Sequence, residues 1–151
     1  MIKGIFHPHS AAYPLCKELG LTHVEVALNA WPGNYPAMKQ AITDAHAVGL
    51  YCIIEPGFKG PLSSGDALGF LKELAAECLI LSQDIIYLYD EVNLYHVNIS
   101  EIILANTLSK RELPQCKTMI SLSWIQSFQG YENICDYVGI DYYRHILKDP
   151  W

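Results

Sequence analysis

No two of the five cysteines, Cys16, Cys52, Cys78, Cys116 and Cys135, form a C-x-x-C pair, and their number is odd. That argues against a disulfide framework or a cysteine zinc site and predicts reduced, mostly buried thiols. Basic residues are also scarce. Ten Lys and Arg stand against sixteen Asp and Glu, giving a net charge of -6 and a pI near 5.4, a poor match to a phosphate backbone or an anionic membrane surface. No apolar run approaches the roughly 18 to 20 residues of a membrane span. The opening MIKGIFHPHS lacks the apolar stretch and cleavage site of a secretory signal, so a cytoplasmic location is expected. A G-x-S-x-G elbow is missing, and no cysteine sits in an evident electropositive setting, which sets serine and cysteine nucleophiles aside.

What is present is apolar and periodic. Of the 151 residues 51% are apolar and only 17% charged, enough for a single domain with a real core. Short β-branched and aromatic runs predict strands at Lys3 to Phe6, His23 to Leu28, Leu50 to Glu55, Ile85 to Asp90, Thr118 to Ser123 and Tyr137 to Tyr142. Helical spacing predicts helices at Ala11 to Leu19, Ala37 to Val48, Gly65 to Leu81 and Ser100 to Ser109, with a short one near Ile125 to Glu132. Gly20 and Gly49 stand where left-handed C-terminal caps belong. Strand-helix alternation with nearly continuous apolar strands means an α/β fold with a parallel sheet. The turn after strand one, HPHSAAYP, has none of the glycines of a nucleotide-binding sheet. Polar and aromatic residues instead recur at the strand ends, as in a TIM-type (β/α) barrel. A full barrel takes about 250 residues, so about six strands instead of eight are expected here, an incomplete barrel.

The segments LGLTHVEVALNAWPGNYP and AITDAHAVGLYCIIEPG resemble the second and third units of clan A glycoside hydrolase barrels. IIYLYDEVN resembles that family's strand-four motif and YENICDYVGIDYYR the sixth strand of related hydrolases. The resemblance implies that Glu91 is the acid/base glutamate, with Asp90 in the place usually held by Asn. The family's nucleophile, a glutamate at the end of strand seven, has no counterpart before Trp151.

Glycoside hydrolysis needs two carboxyl groups flanking the scissile bond. Glu91, Glu55 and Asp141 are the candidate catalytic residues, from strands four, three and six. Simple alternation along the fourth strand puts Tyr87, Tyr89 and Glu91 on one face and Asp90 on the other with Ile86 and Leu88. Glu55 stands before Pro56 and Gly57, a sharp turn that would hold it at the mouth of a barrel. His7, His9, Asn29, Trp31, Tyr89, Asn93, Trp124 and Tyr143 are the candidate substrate-binding residues, the aromatics as platforms for sugar rings.

Three functions follow as expectations. The first is a carbohydrate-acting enzyme with no cofactor and no bound metal. A second is an inactive barrel remnant kept as a sugar-binding or assembly module. The third is a metal-dependent hydrolase using the H-x-H of His7 and His9, with ligands from Glu55, Asp90, His96, Asp141 and His145. Since six strands cannot close the ring that eight close, the open edges predict a homodimer or higher oligomer joined near Lys3 to Phe6 or Tyr137 to Tyr143.

Overall fold

The computed structural model describes residues 2–5, 8–27, 34–58, 65–93, 95–123 and 130–140. Strand and helix alternate as β1 (Gly4–Ile5), a 3-10 turn (Ser10–Ala12), α1 (Tyr13–Glu18), β2 (His23–Ala27), α2 (Tyr35–Ala47), β3 (Tyr51–Glu55), α3 (Gly65–Ala76), β4 (Ile85–Tyr89), α4 (Ile99–Glu112), β5 (Lys117–Leu122) and β6 (Tyr137–Ile140). Every pairing is parallel, and the spatial order is the chain order, β1-β2-β3-β4-β5-β6. β1 contributes two residues, whereas β2 to β6 contribute four to six each.

That order has a consequence for layering. Right-handed crossovers that always step the same way bring successive helices to one face of the sheet, whereas a doubly wound sheet reverses direction and covers both. The core follows that rule. One large cluster joins Val24 and Val26, Cys52 and Ile54, Ile86 and Leu88, and Ile120 and Leu122 to buried residues of all four helices. α2 shows why: Met38, Ala41, Ile42 and Ala45 recur at helical spacing and are buried, while Gln40 and Thr43 stay outside. The alternate strand positions form the second face, with a small apolar patch of Ile53, Ile85 and Tyr87 against Met119.

The helix ends carry the expected caps. Gly20 and Gly49 have φ of 77° and 76°, and each helix closes with paired bonds, Gly49 N to His46 O at 2.9 Å and Leu50 N to Ala45 O at 3.0 Å. α3 ends differently from expectation, at Ala76 rather than Leu81. Cys78 takes the left-handed position there with φ 54°, and the same bonds follow, Cys78 N to Ala75 O at 3.2 Å and Leu79 N to Leu74 O at 3.1 Å. A non-glycine residue at this cap hides the stop signal. α4 runs to Glu112, beyond the expected Ser109, and its start is capped by Asn98, whose side chain accepts from Ser100 N at 3.0 Å. Of the short helix expected near Ile125 to Glu132, residues 130 to 132 are not helical and the rest lies outside the described residues.

Candidate active site

Parallel strands present their C-terminal ends together, and in this sheet those ends carry Glu55 from β3, the Asp90–Asn93 segment after β4, Ser121 from β5 and Ser123 just after it. The second sheet face supplies the rest. His23, Glu25 and Ala27 alternate with Val24 and Val26 along β2, so Glu25 shares the face opposite the helices and is buried there.

The fourth strand overturns the expected alternation. Tyr87 pairs with Met119 but Tyr89 pairs with Ile120, so Leu88 is an extra residue and the ladder slips by one. A bulge of this kind re-aims every side chain beyond it. Tyr89 turns into the helix-side core, where its ring lies 6.2 Å from Phe58, so it is not a platform beside Glu91. Asp90 turns the other way, onto the face of Tyr87. Its Oδ1 accepts from the Tyr87 hydroxyl at 2.6 Å and from Ser121 Oγ at 2.7 Å.

Ser121 links this network to Glu91. Its Oγ accepts from Glu91 N at 2.8 Å, and its carbonyl accepts from Val92 N at 3.1 Å. Glu91 itself has φ 40°, a left-handed backbone uncommon for a residue with a Cβ. It is only 6% exposed, so the turn holds it in place rather than leaving it as a free loop carboxylate. Asn93 completes the seam: Oδ1 accepts from Ser123 N at 2.8 Å, and Nδ2 donates to Ser123 Oγ at 2.8 Å. Four hydrogen bonds thus tie the loop after β4 to residues 121 and 123, while Val92 is buried in the helix-side core.

Burial pushes the Tyr87 phenol well above its ordinary value, and the Asp90 hydrogen bond and the charges of Asp90 and Glu55 add to the shift. Tyr87 therefore stays protonated and donates. Glu55 is half-buried at the end of β3 and its charge is felt by that phenol, so Glu55 and Asp90 flank Tyr87 from neighbouring strands. The following turn is held by Tyr35, whose hydroxyl donates to Pro56 O at 3.2 Å, and Gly57 has φ 80°.

The other sequence candidates divide. His9 is exposed, with extended backbone just ahead of the 3-10 turn, and makes no capping bond with its side chain. His7, Asn29, Trp31, Trp124, Asp141 and Tyr143 lie outside the described residues. Ser121 and Glu25 escaped the sequence analysis, and Tyr87 entered it only as a neighbour of Glu91 on the fourth strand. The alternation of His23, Glu25 and Ala27 with two valines was the available signal for Glu25. Nothing in the run IIYLYD marks the bulge that brings Asp90 to Ser121. Arranged in this way, the C-terminal end offers a buried carboxyl, Glu91, on a fixed backbone, a second carboxyl, Glu55, one strand away, and a protonated phenol, Tyr87, bonded to Asp90. Compared with protein-family models and with curated proteins, the chain matches none.

Proposed function

We propose that this protein is a glycoside hydrolase-like protein that acts on a carbohydrate, with Glu91 as general acid and base. The observation that carries the proposal is the placing of Glu55, Tyr87, Asp90 and Glu91 at the C-terminal ends of β3 and β4, with Tyr87 and Asp90 bonded on the sheet face opposite the helix-side core and the Glu91 amide tied to the same Ser121. Glu91 would protonate the glycosidic oxygen as the second carboxylate displaces it from the anomeric carbon, and would then take a proton from the water that displaces that carboxylate in turn. Glu55 is the nearer second carboxyl by strand position, and Asp141 is the other. Asp90 and Ser121 hold the Glu91 turn in register. The chain-order parallel sheet with helices on one face supports a barrel-like arrangement, incomplete at about six strands. Outer edges of β1 and β6, unpaired among the described residues, support joining of two copies along one of them.

Hydrolysis of a panel of aryl glycosides by the wild type and by Glu91→Gln tests the reaction. Wild-type turnover of at least one glycoside is expected, with a loss of about 10²- to 10⁴-fold in the variant, the usual worth of a general acid. Zero activity in both, together with retained sugar binding, would favour the binding module over the enzyme.

A further inference from the structure

The opposite end of the sheet holds a second set of chemically capable side chains, which the proposed reaction does not use. Asp84 precedes β4 by one residue and is fully buried. Backbone amides grip both its oxygens: Oδ1 accepts from Cys52 N at 2.8 Å, and Oδ2 accepts from Leu81 N at 2.7 Å. His46, in the last turn of α2, brings Nε2 to 3.1 Å from the same carboxylate. The thiol of Cys52, second residue of β3, completes the group. One nitrogen, one sulfur and one oxygen from these residues all lie within 4.8 Å of one another.

We propose that His46, Cys52 and Asp84 form a zinc(II) site at the N-terminal end of the sheet. The donor set favours that ion: imidazole and thiolate suit zinc, while magnesium and calcium take oxygen donors. The amides of Cys52 and Leu81 fix the carboxylate in the way that outer hydrogen bonds orient metal ligands. Zinc bonds of about 2.0 to 2.3 Å draw donors closer than they now lie, and rotation of the His46 and Cys52 side chains closes the set around a fixed Asp84. Cys52 and Asp84 are sealed from solvent, but the His46 side chain is 17% exposed, which gives the ion its entry and a water its place as fourth ligand. On binding, the Cys52 thiol loses its proton to solvent as the sulfur–zinc bond forms, and the His46 Nε2 proton that bridges to Asp84 is given up to solvent while Nδ1 keeps or takes one, so that Nε2 and the carboxylate each bond the ion. No oxidation state changes. Cys116 comes to the same end of the sheet, but its thiol donates to Leu81 O at 3.7 Å and stands outside the set.

Cobalt(II) titration of the metal-free protein, followed by displacement with zinc, reads the thiolate bond directly. One equivalent of cobalt is expected to raise a near-ultraviolet thiolate charge-transfer band, and one equivalent of zinc to abolish it. Cys52→Ala should lose the band, His46→Gln should bind at least about tenfold more weakly, and Cys78→Ala, at an exposed thiol, should match the wild type. If Cys52→Ala does not fold, His46→Gln and Cys78→Ala still decide the matter. A wild type without the band, a band that survives Cys52→Ala, or equal affinity in His46→Gln would each overturn the site and leave a metal-free His46–Asp84 hydrogen bond.

Discussion

The two ends of the sheet use carboxylates in opposite ways. At the N-terminal end an aspartate immediately before a strand accepts the N–H of the second residue of the preceding strand, and the device occurs twice among the described residues. Asp84, before β4, accepts from Cys52 of β3, and Asp136, before β6, accepts from Thr118 of β5 at 2.8 Å. Asp136 also takes the ammonium groups of Lys110 and Lys117. At the C-terminal end Asp90 accepts from two side-chain hydroxyls, both on one oxygen. The lower carboxylates pin backbone to backbone and set strand register. The upper one aligns side chains beside Glu91. A parallel sheet separates stability from chemistry in this way because only its C-terminal ends gather loops that can vary without disturbing strand pairing.

The largest effect should come from Asp84→Ala, which leaves the buried Cys52 amide and the part-buried Leu81 amide without their acceptor. A loss of about 3 kcal/mol is expected from the hydrogen bonds to a buried charge, measured by urea unfolding in the presence of a chelator. A loss below about 1 kcal/mol would break the contrast between the two ends. Ser121→Ala removes the acceptor for Glu91 N and a donor to Asp90, and should cost about 1 to 2 kcal/mol. Its mark is that turnover of an aryl glycoside falls further than stability does. Equal, proportionate losses would make Ser121 a framework residue like Asp84.

A gain is expected from Cys78→Gly. The same cap is glycine at positions 20 and 49, and the left-handed backbone costs a residue with a Cβ roughly 1 kcal/mol, so thermal unfolding should shift upward. No shift would mean that the Cys78 side chain recovers that cost elsewhere. The smallest effect concerns acid. Burial alone would raise the Asp136 carboxyl, but the Lys110 ammonium, the Thr118 N–H and Lys117 outweigh it and hold the carboxyl well below its ordinary 3.8. A carboxyl lowered on folding stabilises the protein above its unfolded value, so this contribution is present above about pH 4 and fades as pH falls below it. Solvent screens the pair and keeps the contribution under about 1 kcal/mol. Asp136→Asn should flatten the slope of stability against pH below 4 and leave the slope above pH 5 unchanged.

Much of this was legible locally. Strand starts at His23, Ile85 and Tyr137 agree with the sequence reading to the residue, because β-branched and aromatic runs bounded by turn residues need no partner to be recognised. Gly20 and Gly49 announced two caps by the absence of a Cβ. Cys78 concealed a third, since a residue with a side chain can take the same conformation when the following leucine, here Leu79, packs against the core. Glu91 and Glu55 were visible as carboxylates at strand ends. The face assignment around them failed at one residue, Leu88, because a bulge is decided by pairing with Met119 and Ile120 and leaves no trace in an apolar run.

Period-two and period-3.6 patterning, together with turn chemistry, determined the alternating order of elements and the parallel α/β class, for these depend on each segment's own burial pattern. Tertiary structure alone decided that Asp90 meets Tyr87 and Ser121, that Ser121 holds the Glu91 amide, and that Asp84 gathers His46 and Cys52 across 38 and 32 residues of chain. Such contacts depend on register between strands. A one-residue slip in pairing exchanges one face for the other while leaving every local preference satisfied.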